Sequence, residues 1–282
     1  MNKIDAYPSQ IRRDIVRMVH AVQSGHPGGS VGTVEFFTVL FHEILEINPK
    51  KFTIKSTGED VFLLSNGHIT PVYYSTLARR GYFQVNELSS FRKLGSRLQG
   101  HPSVHDGLPG VRIASGSLGQ GLSVAIGVAQ GKKINNDKHL VYTLHGDGEL
   151  QEGQIWEAVL YAGAKGIDNL IATVDFNNAQ IDGKVDDVLS LGNLKAKFEA
   201  FNWEVIEIKK GNDLQAVING LKEAKNKTGK GKPVAVVLHT KMGYGIDFMH
   251  DDYRWHGSPL NDEQLKKALN QLEETIGDYQ ED

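Results

Sequence analysis

The chain has 282 residues, a formal net charge of −3 and no cysteine. That length can bury one large core, the small negative charge leaves no basic surface of the kind nucleic acid requires, and disulfide and thiol chemistry are excluded. The first residues, Met-Asn-Lys-Ile-Asp-Ala-Tyr-Pro, lack the apolar core of a signal peptide, and no apolar run is long enough to span a bilayer, so the expectation is a soluble cytoplasmic protein without membrane contact.

In chain order, the spacing of Ile11, Ile15, Met18, Val19 and Val22 predicts a helix over 4–23. It stops at Ser24-Gly25-His26-Pro27-Gly28-Gly29-Ser30, which is expected to be a turn. A second helix over 33–45 is so apolar that it is expected to be buried. His26, fixed between two buried helices, is either a satisfied polar group or a site residue. Residues 60–65 contain a short buried strand, Val-Phe-Leu-Leu, followed by Asn66-Gly67-His68. A helix then begins at Thr70-Pro71, proline suiting the first turn. Residues 92–110 are loop-rich and carry His101-Pro102 and His105-Asp106. Ser115-Gly116-Ser117-Leu118-Gly119-Gln120-Gly121 opens a helix over 122–129. Such a glycine-rich entry exposes a helix N-terminus, which favours anions. It matches neither the Walker pattern nor the dinucleotide Gly-x-Gly-x-x-Gly spacing.

The next stretch is the most informative. A strand over 140–144 runs into His145-Gly146-Asp147-Gly148-Glu149, and a strand over 170–174 runs into Asp175-Phe176-Asn177-Asn178-Ala179. Between them Ile155, Ala158, Val159 and Ala162 mark one face of a helix. This is a βαβ unit with parallel strands. Asp147 and Asn177 then share the carboxyl edge of the sheet, where open α/β sheets bind ligands. A carboxylate and a carboxamide converging there suit a hard cation such as Mg²⁺ beside a phosphorylated ligand, and the flanking glycines let backbone N–H groups approach a diphosphate. Gly-Asp-Gly alone is also a common surface loop. Followed after 28 residues by Asn-Asn, it is far more specific.

A short helix over 195–201, a strand over 203–208, a helix over 213–225 with Leu214, Val217, Ile218 and Leu221 facing in, and a buried strand over 234–239 complete the alternation. The basic connector 225–232 reads as a solvated loop. A mobile-looking segment over 246–254 leads to Trp255-His256-Gly257, and Asn261 caps a last helix ending near Thr275. The fold class is α/β: one domain over 1–282, with a mainly parallel sheet covered by helices on both faces.

His26, His68, His101 and His256 all fall at turns marked by Gly or Pro, and histidine can donate, accept and carry a proton near neutral pH, so together they are read as site residues. His20, His42, His139 and His239 lie in helical or strand patterns and are read as structural. His145 precedes the Gly-Asp-Gly turn without being assigned to the site, and His105 and His250 stay undecided.

Gly-Asp-Gly with Asn-Asn resembles the thiamine diphosphate signature shared by transketolases, decarboxylases and 2-oxo-acid dehydrogenases. The resemblance implies that Asp147, Asn177 and the carbonyl of Ala179 hold Mg²⁺ against the cofactor. Related chains often carry a polar residue at the position of Phe176, a departure that leaves the ligands in place. Ser24-Gly25-His26-Pro27-Gly28, Leu64-Ser65-Asn66-Gly67-His68, Gly100-His101-Pro102, Gly116-Ser117-Leu118-Gly119-Gln120-Gly121 and His256-Gly257 are similar to transketolase motifs in order and spacing. Carried over, His68 and His256 lie near the diphosphate and the reacting centre, and His26 and His101 contact sugar hydroxyls. Gly116, Leu118 and Gly148 contact the cofactor with Asn177, and Glu152 reaches across an interface towards the carboxylate that activates it.

The family's full chains are more than twice as long, adding a pyrimidine-binding and a C-terminal domain. The acidic end of this chain reads as a natural terminus. The resemblance therefore implies the N-terminal, diphosphate-binding subunit of a split transketolase, paired with a C-terminal subunit in a heterotetramer with two copies of each chain. It would transfer a two-carbon ketol unit from a ketose, expected to be phosphorylated, to an aldose. The apolar helix around 36–45 and the glycine-rich entry near Gly116 are candidate surfaces for the partner. The alternatives are the alpha subunit of a 2-oxo-acid dehydrogenase and a non-catalytic regulatory subunit.

Overall fold

Five apolar runs become strands in the computed structural model, which describes residues 3–280: β1 (Val61–Leu64), β2 (Val141–Gly146), β3 (Leu170–Phe176), β4 (Glu204–Ile208) and β5 (Val234–His239). The first two and last two residues of the expected 1–282 domain lie outside the described residues. All neighbouring strands are parallel, in the order β1-β2-β3-β5-β4. Their residues alternate between two cores. Phe62 and Leu64 of β1, Tyr142 and Leu144 of β2, and Val234, Val236 and Leu238 of β5 enter one core. Val61, Leu63, Val141, Ala235 and Val237 enter the other. A strand buried on both faces reads as a largely apolar run without strict period-two alternation, as β1, β2, β3 and β5 do, whereas the edge strand β4, Glu-Val-Ile-Glu-Ile, keeps Glu207 exposed.

Helices α1 (Tyr7–Ala21), α2 (Pro27–Gly32), α3 (Val34–Val39), α4 (Thr70–Arg80), α9 (Leu214–Lys227) and α10 (Asp262–Gln271) lie on the first core's side. Helices α5 (Gly121–Ile134), α6 (Gly153–Lys165) and α8 (Leu194–Ala200) cover the second, with the short α7 (Val185–Leu189) beside β3 in sequence. Asp213 and Asn193 accept backbone N–H bonds at the starts of α9 and α8. Asn261 forms a full capping box with Gln264 at α10. That helix ends at Gln271, one turn before the expected Thr275. Among the described residues no helix is long and apolar enough to cross a membrane.

Two expectations need correcting. The Pro-Gly-Gly stretch after α1 is not merely a turn, because Pro27 opens α2. Glycine is a poor helix former, but here tertiary contact requires it: a Cβ on Gly28 would stand 2.8 Å from the carbonyl oxygen of Trp255 and one on Gly32 2.8 Å from that of Lys241. The second correction concerns 36–45. Phe36, Phe37 and Phe41 are buried in the chain's own core against Phe62 and Tyr73, with ring centroids of 5.5–6.4 Å, so the aromatic face of this helix is spent within the chain and is not a partner surface. The helical run also changes character midway, α3 giving way to a π-helical turn over Leu40–Ile44.

A buried ion pair fixes the returning segment after β5. Arg12 donates to both oxygens of Glu35 at 2.7 and 2.8 Å and to the carbonyl of Tyr244 at 2.9 Å. It thereby ties α1 and α3 to the stretch that leads to His256. A buried charge left without its partner is strongly destabilising, so this bracket holds that loop in one place.

Candidate active site

Gly146 of β2 is in register with Asp175 of β3, which places Asp147 and Asn177 side by side just beyond the two strand ends. Asp147 Oδ1 accepts from the N–H of Gly148 at 2.8 Å and Oδ2 from the N–H of Asn178 at 2.5 Å. Asn178 adopts a left-handed backbone, φ 57°, a conformation asparagine tolerates better than most residues, and this turns its N–H back towards Asp147. Asn177 donates from Nδ2 to Asp175 Oδ2 at 2.8 Å and accepts at Oδ1 from the N–H of Ala179 at 2.9 Å. Thr240, just past β5, donates to the other oxygen of Asp175.

Two carboxylates are thus buried together at one sheet edge. Burial first, then the nearby Asp175, pushes the Asp147 carboxyl up to about 8 against its backbone donors. Burial pushes Asp175 up to about 6, opposed by Thr240 and Asn177. Groups so perturbed favour a cation beside them.

The opposite wall is made of imidazoles. His26 stands at the start of α2, His68 in a turn after β1, and His256 at the end of the 3₁₀ turn Tyr253–Trp255. Ring centroids are 5.0 Å apart for His26 and His68, 5.1 Å for His68 and His256, and 5.6 Å for His26 and His256. Burial, then its histidine neighbours and Arg92, lowers His26 to about 4. Burial and the same histidine cluster hold His68 well below its ordinary value, and burial lowers His256. At neutral pH these rings are uncharged, each with one donor and one acceptor nitrogen.

One cavity of about 310 Å³ joins the two walls. His26, His68, Gly116, Leu118, Asp147, Gly148, Glu152, Asn177, Ala179 and His256 all line it. His101 does not. It flanks an adjoining hollow with Ser24, Arg92 and Gly100, its ring 6.5 Å from that of His26, and burial with Arg92 lowers its pKa. The residues read as structural lie apart from this cavity: His20 pairs with Asp262, His42 stacks on Tyr7, His139 pairs with Asp137, and His239 faces Glu207. Asn66, Glu149, Asp175, Gln180 and Met242 line the cavity too, although sequence reasoning assigns them no site role. Asn66 stands inside the Ser-Asn-Gly-His motif and Asp175 two residues before Asn177, and that adjacency is the available signal.

The residues present suit a small hard cation beside a polar ligand. Asn66 Oδ1, His26 Nδ1 and His256 Nδ1 are buried and have no hydrogen-bond partner among the described residues, an arrangement that a ligand's polar groups would complete. Among the described residues no three His, Cys, Asp or Glu side chains converge as a metal cage. A cation here would take one carboxylate, one carboxamide and one carbonyl, with ligand oxygens filling the shell. Mg²⁺ prefers this mixed set.

The family model described as transketolase, thiamine diphosphate binding domain, matches residues 5–275. The chain is 35% identical over 274 residues to an apulose-4-phosphate transketolase subunit of Actinobacillus succinogenes, covering 97% of each chain. It is 34% identical over 263 residues to a 6-deoxy-6-sulfo-D-fructose transketolase subunit of a Clostridium species, covering 93% of this chain and 94% of that one. Among solved structures, the transketolase of Leishmania mexicana superimposes with a TM-score of 0.89 at 30% identity, over 100% of this chain and 43% of that one. The transketolase of Campylobacter jejuni gives 0.87 at 35% identity, over 96% and 43%. The chain thus spans less than half the length of these solved transketolases.

Proposed function

The chain belongs to the transketolase family, carrying its thiamine diphosphate-binding domain, and from that premise we propose that it is the N-terminal, diphosphate-binding subunit of a two-chain transketolase. Its domain would extend over 1–282, and its reaction is the transfer of a two-carbon ketol unit from a ketose to an aldose. The observation that carries this reading is the joining of Asp147 and Asn177 to three uncharged histidines across one cavity. The 2-oxo-acid dehydrogenase alternative loses its ground, because both the family model and the relatives named above are transketolases.

Bound thiamine diphosphate supplies the carbon nucleophile and electron sink that ketol transfer requires. Asp147, Asn177 and the carbonyl of Ala179 would hold Mg²⁺ against the diphosphate, with Gly116, Leu118 and Gly148 bordering it. His68 and His256 would face the diphosphate and the reacting centre. His26, on the cavity wall, and His101, in the separate hollow with its ring 6.5 Å from that of His26, would bind and orient sugar hydroxyls, and their uncharged rings can take or return a proton at a free nitrogen. Glu152 would extend towards the partner chain. Residue burial around Asn66 and Met242 keeps bulk water from this wall.

Two relatives named above are designated subunits, and this reading gives the present chain a C-terminal, pyrimidine-binding partner in a heterotetramer with two copies of each, placed in the cytoplasm. The test is an assay of ketose-to-aldose transfer with thiamine diphosphate, Mg²⁺ and the product of a neighbouring gene, run beside oxidative decarboxylation of 2-oxo acids. Transfer without decarboxylation is expected. The reverse outcome would reject the assignment.

A further inference from the structure

Glu149 is 2% exposed, and its carboxylate holds three separate stretches of chain together. One oxygen accepts from the hydroxyl of Ser65 at 2.5 Å and from the N–H of Gly119 at 2.9 Å. The other accepts from the N–H of Gly146 at 3.1 Å and stands 3.6 Å from His145 Nδ1. Ser65 leads from β1 into Asn66 and His68. Gly119 lies in the glycine-rich approach to α5, beyond Gly116 and Leu118. Gly146 precedes Asp147. Each stretch therefore brings residues to the cavity, and Glu149 is the side chain that all three share.

We infer that Glu149 is a positioning residue: it clamps the glycine-rich loop and the end of β1 onto the Gly-Asp-Gly turn, so that the cavity's three backbone walls keep one mutual geometry. The inference rests on the reading of this cavity as a thiamine diphosphate site. Hydrogen bonds to an ionised acceptor are roughly twice as strong as neutral ones, and losing a buried acceptor strands its donors. Gly116 and Gly119 carry no side chain and sit at φ 139° and 83°, so the loop is held through its backbone, the Ser115 N–H donating to the carbonyl of Pro102 at 3.2 Å at one end and the Gly119 N–H to Glu149 at the other. Ser65 reinforces the clamp from below, because a Cβ on Gly121 would stand 2.5 Å from Ser65 Cβ, which sets the start of α5 directly on the end of β1.

Hydrogen exchange on the full chain, without cofactor, tests this. In Glu149→Gln and Glu149→Ala the amides of 115–121 and 65–67 should exchange about tenfold faster, while β3 and β5 stay within about twofold of the parent chain. If the alanine variant does not fold, the isosteric glutamine variant carries the measurement. Unchanged loop exchange, or acceleration spread evenly over β3 and β5, would overturn the clamp. In the two-chain assembly the same variants should weaken thiamine diphosphate binding about tenfold in the presence of Mg²⁺. An unsubstituted assembly that binds no thiamine diphosphate, with the loop still loosened by the variants, would overturn the cofactor reading and leave the clamp standing.

Discussion

Asp147 accepts the backbone N–H of Asn178 at 2.5 Å, so the turns that follow β2 and β3 are joined by the same carboxylate that would bind the cation. Ligand and scaffold functions would then meet in one side chain. Asp175, also buried beside it, adds repulsion that a cation would relieve.

From this we predict that Asp147→Ala and Asn177→Ala weaken Mg²⁺-dependent binding of thiamine diphosphate by about 100-fold or more, since even residues behind metal ligands cost 10- to 100-fold. The fold should survive. Removing the Asp147 carboxylate loses the hydrogen bonds from the N–H groups of Gly148 and Asn178 but also relieves the pair of buried carboxylates, so unfolding temperatures without metal should stay within about 5 °C of the parent. Titration of the reconstituted enzyme with and without Mg²⁺ decides it: unchanged metal dependence in either variant would refute the assignment.

His26 and His101 occupy different places, one on the cavity wall and the other at a neighbouring hollow 6.5 Å away. Alanine at either should lower donor turnover by about tenfold to a hundredfold while changing cofactor affinity little. Steady-state kinetics beside cofactor titration separates the two quantities. Equal losses in both would move these histidines into contact with the cofactor.

The histidine cluster also sets a pH dependence. His26 titrates at about 4 in the folded chain and near 6.5 when unfolded. Between those values the unfolded chain holds a proton that the folded chain does not, so this contribution is intact above about 6.5 and is lost as pH falls towards 4. Asp147 and Asp175, raised by burial, act in the opposite sense. The difference between the parent chain and His26→Gln isolates the histidine: at pH 5 the parent should have lost on the order of 1 to 2 kcal/mol more than the variant, relative to pH 7.5. Thermal melts across that range measure it, and parallel curves would contradict the buried, uncharged state of His26.

Much of this site is legible in the sequence because parallel strands deliver their loops to one edge. Asp147 and Asn177 need only two apolar runs and a helix between them. Glu149 is not legible, and Asp175 only through its place two residues before Asn177, because their partners Ser65, Gly119 and Thr240 come from distant segments that no local spacing predicts. The apolar run around Phe36 shows the same limit from another side. A helix apolar all round is consistent with either a core or a partner face, and only packing against Phe62 and Tyr73 distinguishes them. The exposed apolar residues Val124, Leu160 and Tyr161 lie instead on α5 and α6, on faces that the sequence pattern does not single out.

The last prediction is that this chain requires a second polypeptide for ketol transfer. Four carboxylates line the cavity. Asp147 and Asp175 are engaged by the Asn177–Asn178 turn, and Glu149 by Ser65 and two backbone N–H groups. Glu152 is the exposed one, and the family resemblance gives it the role of neighbour to an activating carboxylate on the pyrimidine-binding domain. On the reading proposed above, a diphosphate-binding domain would hold one side of the cofactor and a partner the other, and a ligand gripped at one end forfeits much of its binding energy and its orientation. The purified chain should therefore show less than about 1% of the activity of the reconstituted pair, in keeping with the loss of an essential acid or base. Adding the product of a neighbouring gene in increasing ratio should restore transfer and saturate at one partner per chain. Full transfer by the chain alone, or saturation at another ratio, would refute the two-chain enzyme with equal numbers of each subunit.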